Sequence, residues 1–299
     1  MQKLKLSESL EITRIVLGLW RLLSWKMEVR ELGNYVRKCL DAGVDTFDHA
    51  DIYGNYEAEE KFGAVFSQNK SLRQECKLIT KCGIVLQASE NNDKINYYNT
   101  SKAHIIQSVN NSLRNLKTDY IDLLLIHRPD PIMDPEEVAE AFSMLEKEGK
   151  VLNFGVSNFS AGQFNLLNSY TDQKLLTNQI EFSPWQLKHL ENGDLDHMMT
   201  ERIHPLAWSP LAGGKLLTAS DEKARRIRVV LKRIAEKKSI QHPEEIIYAW
   251  ILKHPAKIAP VVGTGKFERL ERAISALDVE LSREEWFEIL VASQGHPVP

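Results

Sequence analysis

Short runs of consecutive apolar residues alternate along this chain with longer stretches in which apolar positions recur every three or four residues. The first pattern belongs to strands buried on both faces, as in a parallel sheet. The second belongs to helices with one buried face. Strands are expected at 15–17, 44–48, 77–81, 121–126, 153–156, 176–179, 204–207 and 258–261. Between them, Leu32, Tyr35, Val36, Cys39 and Leu40 mark one helical face. Ile105, Ile106, Val109, Leu113 and Leu116 mark a second, and Val138, Ala141, Phe142 and Leu145 a third. Asp134-Pro135-Glu136-Glu137 opens that third helix with an N-cap acid, a proline at the first helical position and acids in the first turn. Gly43 and Gly149 fit the position just past a helix end. Ser282-Arg283-Glu284-Glu285 is a capping box ahead of a helix over 286–293.

Eight strand-then-helix units follow one another with no Gly-, Pro- or Ser-rich linker. That count argues for an α/β fold closed into a (β/α)8 TIM barrel, and for residues 1–299 as one domain. A doubly wound sheet would announce itself by a glycine-rich first turn, whereas the first strand here runs into Gly18-Leu19-Trp20. Ahead of it, Leu4 and Leu6 alternate against Leu10 and Ile12 across Ser7-Glu8-Ser9, which predicts an N-terminal β-hairpin closing the barrel floor. Residues 83–100 are more than a connection needs. They are polar and Asn-rich with Tyr97 and Tyr98, and such a loop is functional or disordered.

Composition narrows the class of function. The 299 residues are 43% hydrophobic and 26% charged, an ordinary globular balance. A net charge of -3 gives no general pull toward nucleic acid or an anionic membrane. The N-terminus lacks the apolar stretch of a signal peptide, and the longest apolar runs are too short to span a bilayer, so a cytoplasmic protein is expected. Cys39, Cys76 and Cys82 are odd in number, include no CxxC, and read as reduced thiols.

In barrels of this kind the chemistry lies at the C-terminal ends of the strands. The residues there are Asp48 and Tyr53, Lys81, His127, Ser157 with Asn158, Gln179, Trp208 with Ser209, and Gly263-Thr264-Gly265. Each has a bland use when taken alone: an acid caps a helix, a tyrosine lines a rim, a lysine is solvated, a histidine packs. Together the first four, on three consecutive strands, offer a phenol, an ammonium and an imidazole to one carbonyl oxygen. A free phenol, with a pKa of about 10, is a poor acid at neutral pH. A nearby ammonium stabilises the phenolate, and Lys81 can supply it. A buried lysine needs a carboxylate partner, and Asp48 can be that partner. His127 can donate a hydrogen bond that orients the carbonyl. This is equipment for reducing a carbonyl with an external hydride.

The segments FDHADIYG, LITKCG, YIDLLLIHRPDP, LNFGVSNFS, TNQIEFSP, LAWSPLAGG and VVGTGKFERLERA run in order from Phe47 to Ala273. They resemble the aldo-keto reductase superfamily, in its bacterial NADP-dependent form, across nearly the whole barrel. The resemblance implies hydride transfer from NAD(P)H to an aldehyde or ketone, without metal. Carried over by position, it implies Asp48, Tyr53, Lys81 and His127 as the catalytic tetrad, with Tyr53 as the acid. It implies Ser157, Asn158 and Gln179 around the nicotinamide carboxamide, which amides and a hydroxyl can satisfy. It also implies Trp208 stacked on the nicotinamide, and Ser209, Leu211 and Gly213 along the pyrophosphate. Trp20 and Asp48 are further expected cofactor contacts, and Gly263, Thr264, Gly265 and Arg269 those nearest the 2′-phosphate. His49 stands where many members have Thr or Ser, and Gly263 where some have a lysine for that phosphate. Arg269, with Arg272 one turn on, suits a phosphate, which favours NADPH over NADH. Gly263 to Lys266 is not a nucleotide loop of another kind. A P-loop would need glycine at 260 and Ser or Thr at 267, and GxGxxG would need glycine at 268; the chain has Pro260, Phe267 and Glu268.

Two other readings stay open. Some proteins of this fold are accessory subunits of ion channels that bind the cofactor, turn over slowly and act as redox sensors. A metal-dependent hydrolase would need ligands, and His49 and Asp51 beside Asp48 form the only tight cluster, with no HxH or HExxH. The substrate pocket is expected between Trp20, the 83–100 loop and the segment 286–299, with Trp25 at its mouth and Arg21 as a partner for a substrate carboxylate. The expected partner is a small carbonyl compound, not nucleic acid or membrane; its identity, the reaction direction and the oligomeric state are open.

Overall fold

The computed structural model describes residues 1–87 and 95–299. In chain order the strands are β1 (Lys3–Lys5), β2 (Glu11–Thr13), β3 (Val16–Gly18), β4 (Thr46–Asp48), β5 (Lys77–Cys82), β6 (Ile84–Val85), β7 (Tyr97–Tyr98), β8 (Leu123–Ile126), β9 (Phe154–Ser157), β10 (Leu175–Glu181), β11 (Leu206–Trp208) and β12 (Ala259–Val262). The helices are α1 (Val29–Asp41), α2 (Ala58–Gln68), α3 (Leu72–Glu75), α4 (Lys102–Leu116), α5 (Pro135–Lys147), α6 (Ala161–Asn168), α7 (Lys188–Glu191), α8 (Asp194–Thr200), α9 (Lys215–Thr218), α10 (Glu222–Lys237), α11 (Pro243–Leu252), α12 (Phe267–Ser275) and α13 (Arg283–Gln294). Strands β3, β4, β5, β8, β9, β10, β11 and β12 close in that order into an all-parallel barrel, with β12 pairing back onto β3. This is the (β/α)8 barrel that the apolar runs predict, and each strand lies within two residues of its expected limits. No helix among the described residues is long and apolar enough to cross a membrane.

Alternation along the strands builds two cores. Val16, Ile79, Leu123, Leu125, Leu176, Leu206, Ala259 and Val261 pack together inside the barrel with Leu4, Leu10 and Ile12 of the β1–β2 hairpin, which plugs the floor. Leu17, Phe47, Leu78 and Val262 face outward and pack against Leu32, Tyr35, Val36 and Phe62 of the helices. The interior is narrow: a Cβ on Gly155 would come within 2.8 Å of Leu125 Cδ2 and 2.9 Å of the Thr177 carbonyl. The helix ends follow the sequence signals. Asp134 accepts from the Glu136 N–H with Pro135 at the first position, and Ser282 and Glu285 form a reciprocal capping box. Gly43 and Gly149 follow α1 and α5 at φ 84° and 68°.

Two expectations about the pocket walls change. β6 and β7 pair as a short hairpin at the base of the 83–100 excursion, and its centre, 88–94, lies outside the described residues. Trp286 is taken up by packing. It stacks on Trp250 at 4.9 Å, and each indole N–H donates to the other residue's carbonyl at 3.0 Å, so α13 is fastened to α11.

Helices α2 and α4 approach closely at a glycine. A Cβ on Gly63 would collide with the Asn115 carbonyl oxygen and come within 2.7 Å of Leu116 Cα. Alanine would gain up to about 1 kcal/mol of helix propensity, but overpacking of this kind costs about 1–3 kcal/mol. Gly63→Ala is therefore expected to lose net stability in thermal or urea unfolding. A variant as stable as the parent would mean that the two helices can part freely.

Candidate active site

Strand alternation decides which side chains meet at the barrel mouth. Ile79 points inward, so Lys81 does too, while Thr80 and Cys82 face the helices. Lys81 is fully buried. Its Nζ lies 2.7 Å from each Asp48 carboxylate oxygen, 2.7 Å from the His49 carbonyl and 3.3 Å from the Tyr53 hydroxyl. An ammonium has three protons to donate. Three short acceptors take them, and Tyr53 is the longest contact. Gln179 Nε2 donates to Asp48 Oδ1 at 2.8 Å, which ties β10 to β4. Tyr53 stands on the turn after β4, its N–H donating to the Ala50 carbonyl at 3.1 Å. Its ring meets that of His127 edge-on, with centroids 5.9 Å apart. Asp48, Tyr53, Lys81 and His127 thus form one cluster.

Burial lowers the pKa of Lys81, and the charge and hydrogen bonds of Asp48 resist that pull. His127 is pushed well below the ordinary histidine value, first by burial and then by the Lys81 and Arg128 cations. It is therefore neutral at physiological pH. The lowered phenol pKa expected beside Lys81 is not found in this arrangement. Burial first, then Asp48, hold the phenol well above its ordinary value, with Arg128 opposing. The distances give the reason. Asp48 takes up the Lys81 charge at 2.7 Å, so the pair presents little net charge to a hydroxyl 3.3 Å away.

The other expected residues line the neighbouring strand ends. The Ser157 hydroxyl donates to the Gln179 carbonyl at 2.9 Å. Asn158 has a left-handed φ of 64°, which turns its amide back across the mouth. Its Nδ2 donates to Ser157 Oγ at 2.8 Å and to the His127 carbonyl at 3.2 Å, and its Oδ1 accepts the Trp208 indole N–H at 3.0 Å. After β11 the backbone is left-handed at Ser209 (52°), Ala212 (51°), Gly213 (67°) and Gly214 (100°). Two of these carry side chains, and such strain persists where a site uses it. Nothing lies within 4 Å of a Cβ built on Gly214, so the backbone is open to close approach there; Leu211 is half-buried alongside.

After β12, Gly263 is exposed, and the Thr264 carbonyl accepts from the Tyr35 hydroxyl at 2.6 Å. Gly265 lies against Trp25, which is thereby held on this loop; a Cβ there would come within 2.6 Å of the indole. Arg269 is exposed in the first turn of α12. Arg272 is held at 2.6 Å by Glu244, so it is not the second phosphate-binding arginine that its spacing offered. Trp20 is 59% exposed at the rim, with the Arg21 guanidinium 5.0 Å from its ring. Arg21 also reaches within 3.6 Å of a Cβ built on Gly213, which puts it beside the 209–214 loop instead of facing the carbonyl site.

The aldo/keto reductase family matches residues 14–292. The chain belongs to the aldo/keto reductase family. It is 49% identical over 300 residues to the uncharacterized oxidoreductase YcsN of Bacillus subtilis (strain 168), covering 100% of both chains. It is 40% identical over 300 residues to a 6-dehydroglucose reductase of Agrobacterium fabrum (strain C58 / ATCC 33970), again over 100% of both. A thermostable aldo-keto reductase, Tm1743, solved in complex with the inhibitor epalrestat, shares the fold with a TM-score of 0.81 at 22% identity, over 98% of this chain and 100% of that one. The protein is an oxidoreductase on this family's barrel.

Sequence reasoning passed over two residues of this aldo/keto reductase, Arg128 and Glu59. Glu59 lies on the buried face of α2 among Ala58, Phe62 and Phe66, an acid at an apolar position, which was the available signal. Its Oε1 accepts the Thr80 hydroxyl at 2.6 Å, and its Oε2 is buried without a partner among the described residues. Asp51 is buried nearby with one oxygen likewise unpartnered. His49 packs edge-on against Phe62 at 4.6 Å, both ring nitrogens lack hydrogen-bond partners among the described residues, and burial, then Lys81, push it down to about 3. It is a neutral packing residue. Among the described residues no three of His, Cys, Asp and Glu stand together as metal ligands.

Burial pushes Glu59 up to about 7 from its ordinary 4.5. Between those values the folded state binds more protons than the unfolded one, so stability falls as pH rises through that window. The full penalty, on the order of 3 kcal/mol, applies above the folded value. Glu59→Gln keeps an acceptor for Thr80 and removes the titration. It is expected to raise the melting temperature at pH 8 relative to the parent and to change it little at pH 4. Equal shifts at both pH values would show that Glu59 is not held as a neutral acid.

Proposed function

We propose that this reductase, as a single domain over 1–299, converts an aldehyde or ketone to the alcohol with NADPH. The observation that carries the reading is the Lys81 ammonium, seated between Asp48 and the Tyr53 hydroxyl and beside the neutral ring of His127. NADPH, when bound, supplies the hydride. The residues present fit that cofactor. Ser157, Asn158 and Gln179 would hold the carboxamide, with Trp208 under the nicotinamide, its N–H already anchored on Asn158. The open, left-handed backbone at Ser209 to Gly214 would take the pyrophosphate, with Leu211 beside it, and Gly263, Thr264, Gly265 and exposed Arg269 would face the 2′-phosphate. Trp20 would close the rim.

The substrate carbonyl oxygen would sit between the Tyr53 hydroxyl and the His127 ring. The raised pKa of Tyr53 keeps its proton in place until negative charge grows on that oxygen. The proton then moves from Tyr53 to the alkoxide, and the phenolate left behind is stabilised by Lys81 at 3.3 Å. His127, being neutral, donates a hydrogen bond without competing for the proton. Gln179 and Lys81 together hold Asp48 in place.

Tyr53→Phe should lower kcat for aldehyde reduction by about 10²–10⁴-fold, the range of general acid help, with NADPH binding, read by fluorescence, little changed. Turnover at the parent's rate would sink the reading. Arg269→Ala should weaken NADPH binding by roughly tenfold, as expected for a charge-assisted pair, and leave NADH binding nearly unaltered. Equal losses for both cofactors would move the 2′-phosphate elsewhere. Since one relative is named a 6-dehydroglucose reductase, sugar-derived aldehydes belong in the first substrate panel.

A further inference from the structure

No step above uses Arg128, which leaves β8 directly after His127. It is half-buried, with its guanidinium 5.5 Å from the Trp208 ring. No carboxylate or carbonyl among the described residues pairs with it. The guanidinium follows His127 in the chain, and its positive charge opposes the raised pKa of Tyr53 and adds to the lowering of His127. Neighbouring carboxylates are committed elsewhere. Asp48 is held by Lys81 and Gln179, and Asp130 accepts from the Thr100 hydroxyl and the Ile132 N–H. A planar cation half withdrawn from water, with five donors and no protein acceptor, is ready for a bound group that supplies one.

We propose that Arg128 is a specificity-determining residue that binds an acidic group of the substrate, so that this reductase prefers carbonyl compounds carrying a carboxylate or a phosphate monoester. The proposal rests on the carbonyl-reductase reading of the same site. The guanidinium presents parallel N–H groups that match either oxyanion, and the Trp208 ring beneath it limits how its plane can turn. A substrate held at its carbonyl by Tyr53 and His127, and at its acid by Arg128, has two fixed points and one orientation. Arg21, the other arginine lying on a rim tryptophan, is beside Gly213 and does not share this task.

Matched pairs test it. With NADPH, 4-carboxybenzaldehyde is compared with its neutral methyl ester, and glyceraldehyde 3-phosphate with glyceraldehyde, so that the two pairs separate carboxylate from phosphate recognition. The acidic member of at least one pair should have the higher kcat/KM by about tenfold or more, the worth of a charge-assisted pair. In Arg128→Gln that ratio should fall to near one, chiefly through a higher KM for the acid, and Arg128→Lys should restore part of it. A ratio near one in the parent for both pairs, or a ratio that Arg128→Gln leaves unchanged, overturns the proposal. The same compounds are also titrated calorimetrically into the parent and Arg128→Gln with NADP+ present, where no hydride is available. Arg128-dependent binding of the acid without reduction of any compound would uphold the anion site and overturn the reductase reading. Reduction of the ester without any acid preference would do the reverse.

Discussion

The ammonium of Lys81 is the constraint around which the mouth of this barrel is organised. A lysine sealed from water must find an acceptor for each of its three protons and a charge to balance its own. Asp48 and the His49 carbonyl meet those needs at 2.7 Å, and meeting them pins the start of the turn that leaves β4. That turn carries Tyr53, so the position of the phenol follows from the needs of the amine. Desolvating such a pair is expensive, and losing one partner strands the other, typically at about 3–5 kcal/mol. The pair is better read as fixing geometry than as adding stability.

The strand that aims Lys81 inward aims Thr80 outward, and there a second acidic layer begins. Glu59 accepts from Thr80, and its charge helps raise the pKa of buried Asp51. Their fields also reach Lys81, so β5 is flanked by carboxylates on both faces. The Trp208–Asn158–His127 chain of hydrogen bonds gives the opposite wall a similar rigidity, because Asn158 spends both ends of its amide on neighbours. Left-handed backbone recurs at the mouth, at Asn158 after β9 and at Ser209 and Ala212 beside two glycines after β11.

Much of this was legible in the chain because parallel barrel strands are apolar on both faces and so stand out as runs. Their ends were less so, since the final residues, such as Ser157 and Trp208, have left the core and no longer look like strand. The four clustered side chains could be named because Asp48, Lys81 and His127 stand at or just past the ends of apolar runs and Tyr53 follows on the next turn. The raised pKa of Tyr53 could not, because it depends first on how deeply the folded chain buries that ring. Trp286 opens the segment expected to wall the pocket, and only the partner indole of Trp250 on another helix revealed its packing. Arg128 was hidden for a different reason: an arginine without a partner and an arginine in solvent are the same letter, and only half-burial beside Trp208 separates them. The acid at Glu59 was hidden similarly, among exposed acids of the same helix start.

Closure of the ring by β12 on β3 has a bearing on how the chain is made. β3 ends at Gly18, and its barrel partner on one side begins at Ala259. During ribosomal synthesis that flank of β3 stays an unpaired ribbon until almost the entire polypeptide has emerged, an interval of tens of seconds at ordinary elongation rates of about 5–20 residues per second. The barrel cannot be completed vectorially from its amino end. The nascent protein must shelter an open edge, by provisional contacts or by a chaperone, until its last strand arrives.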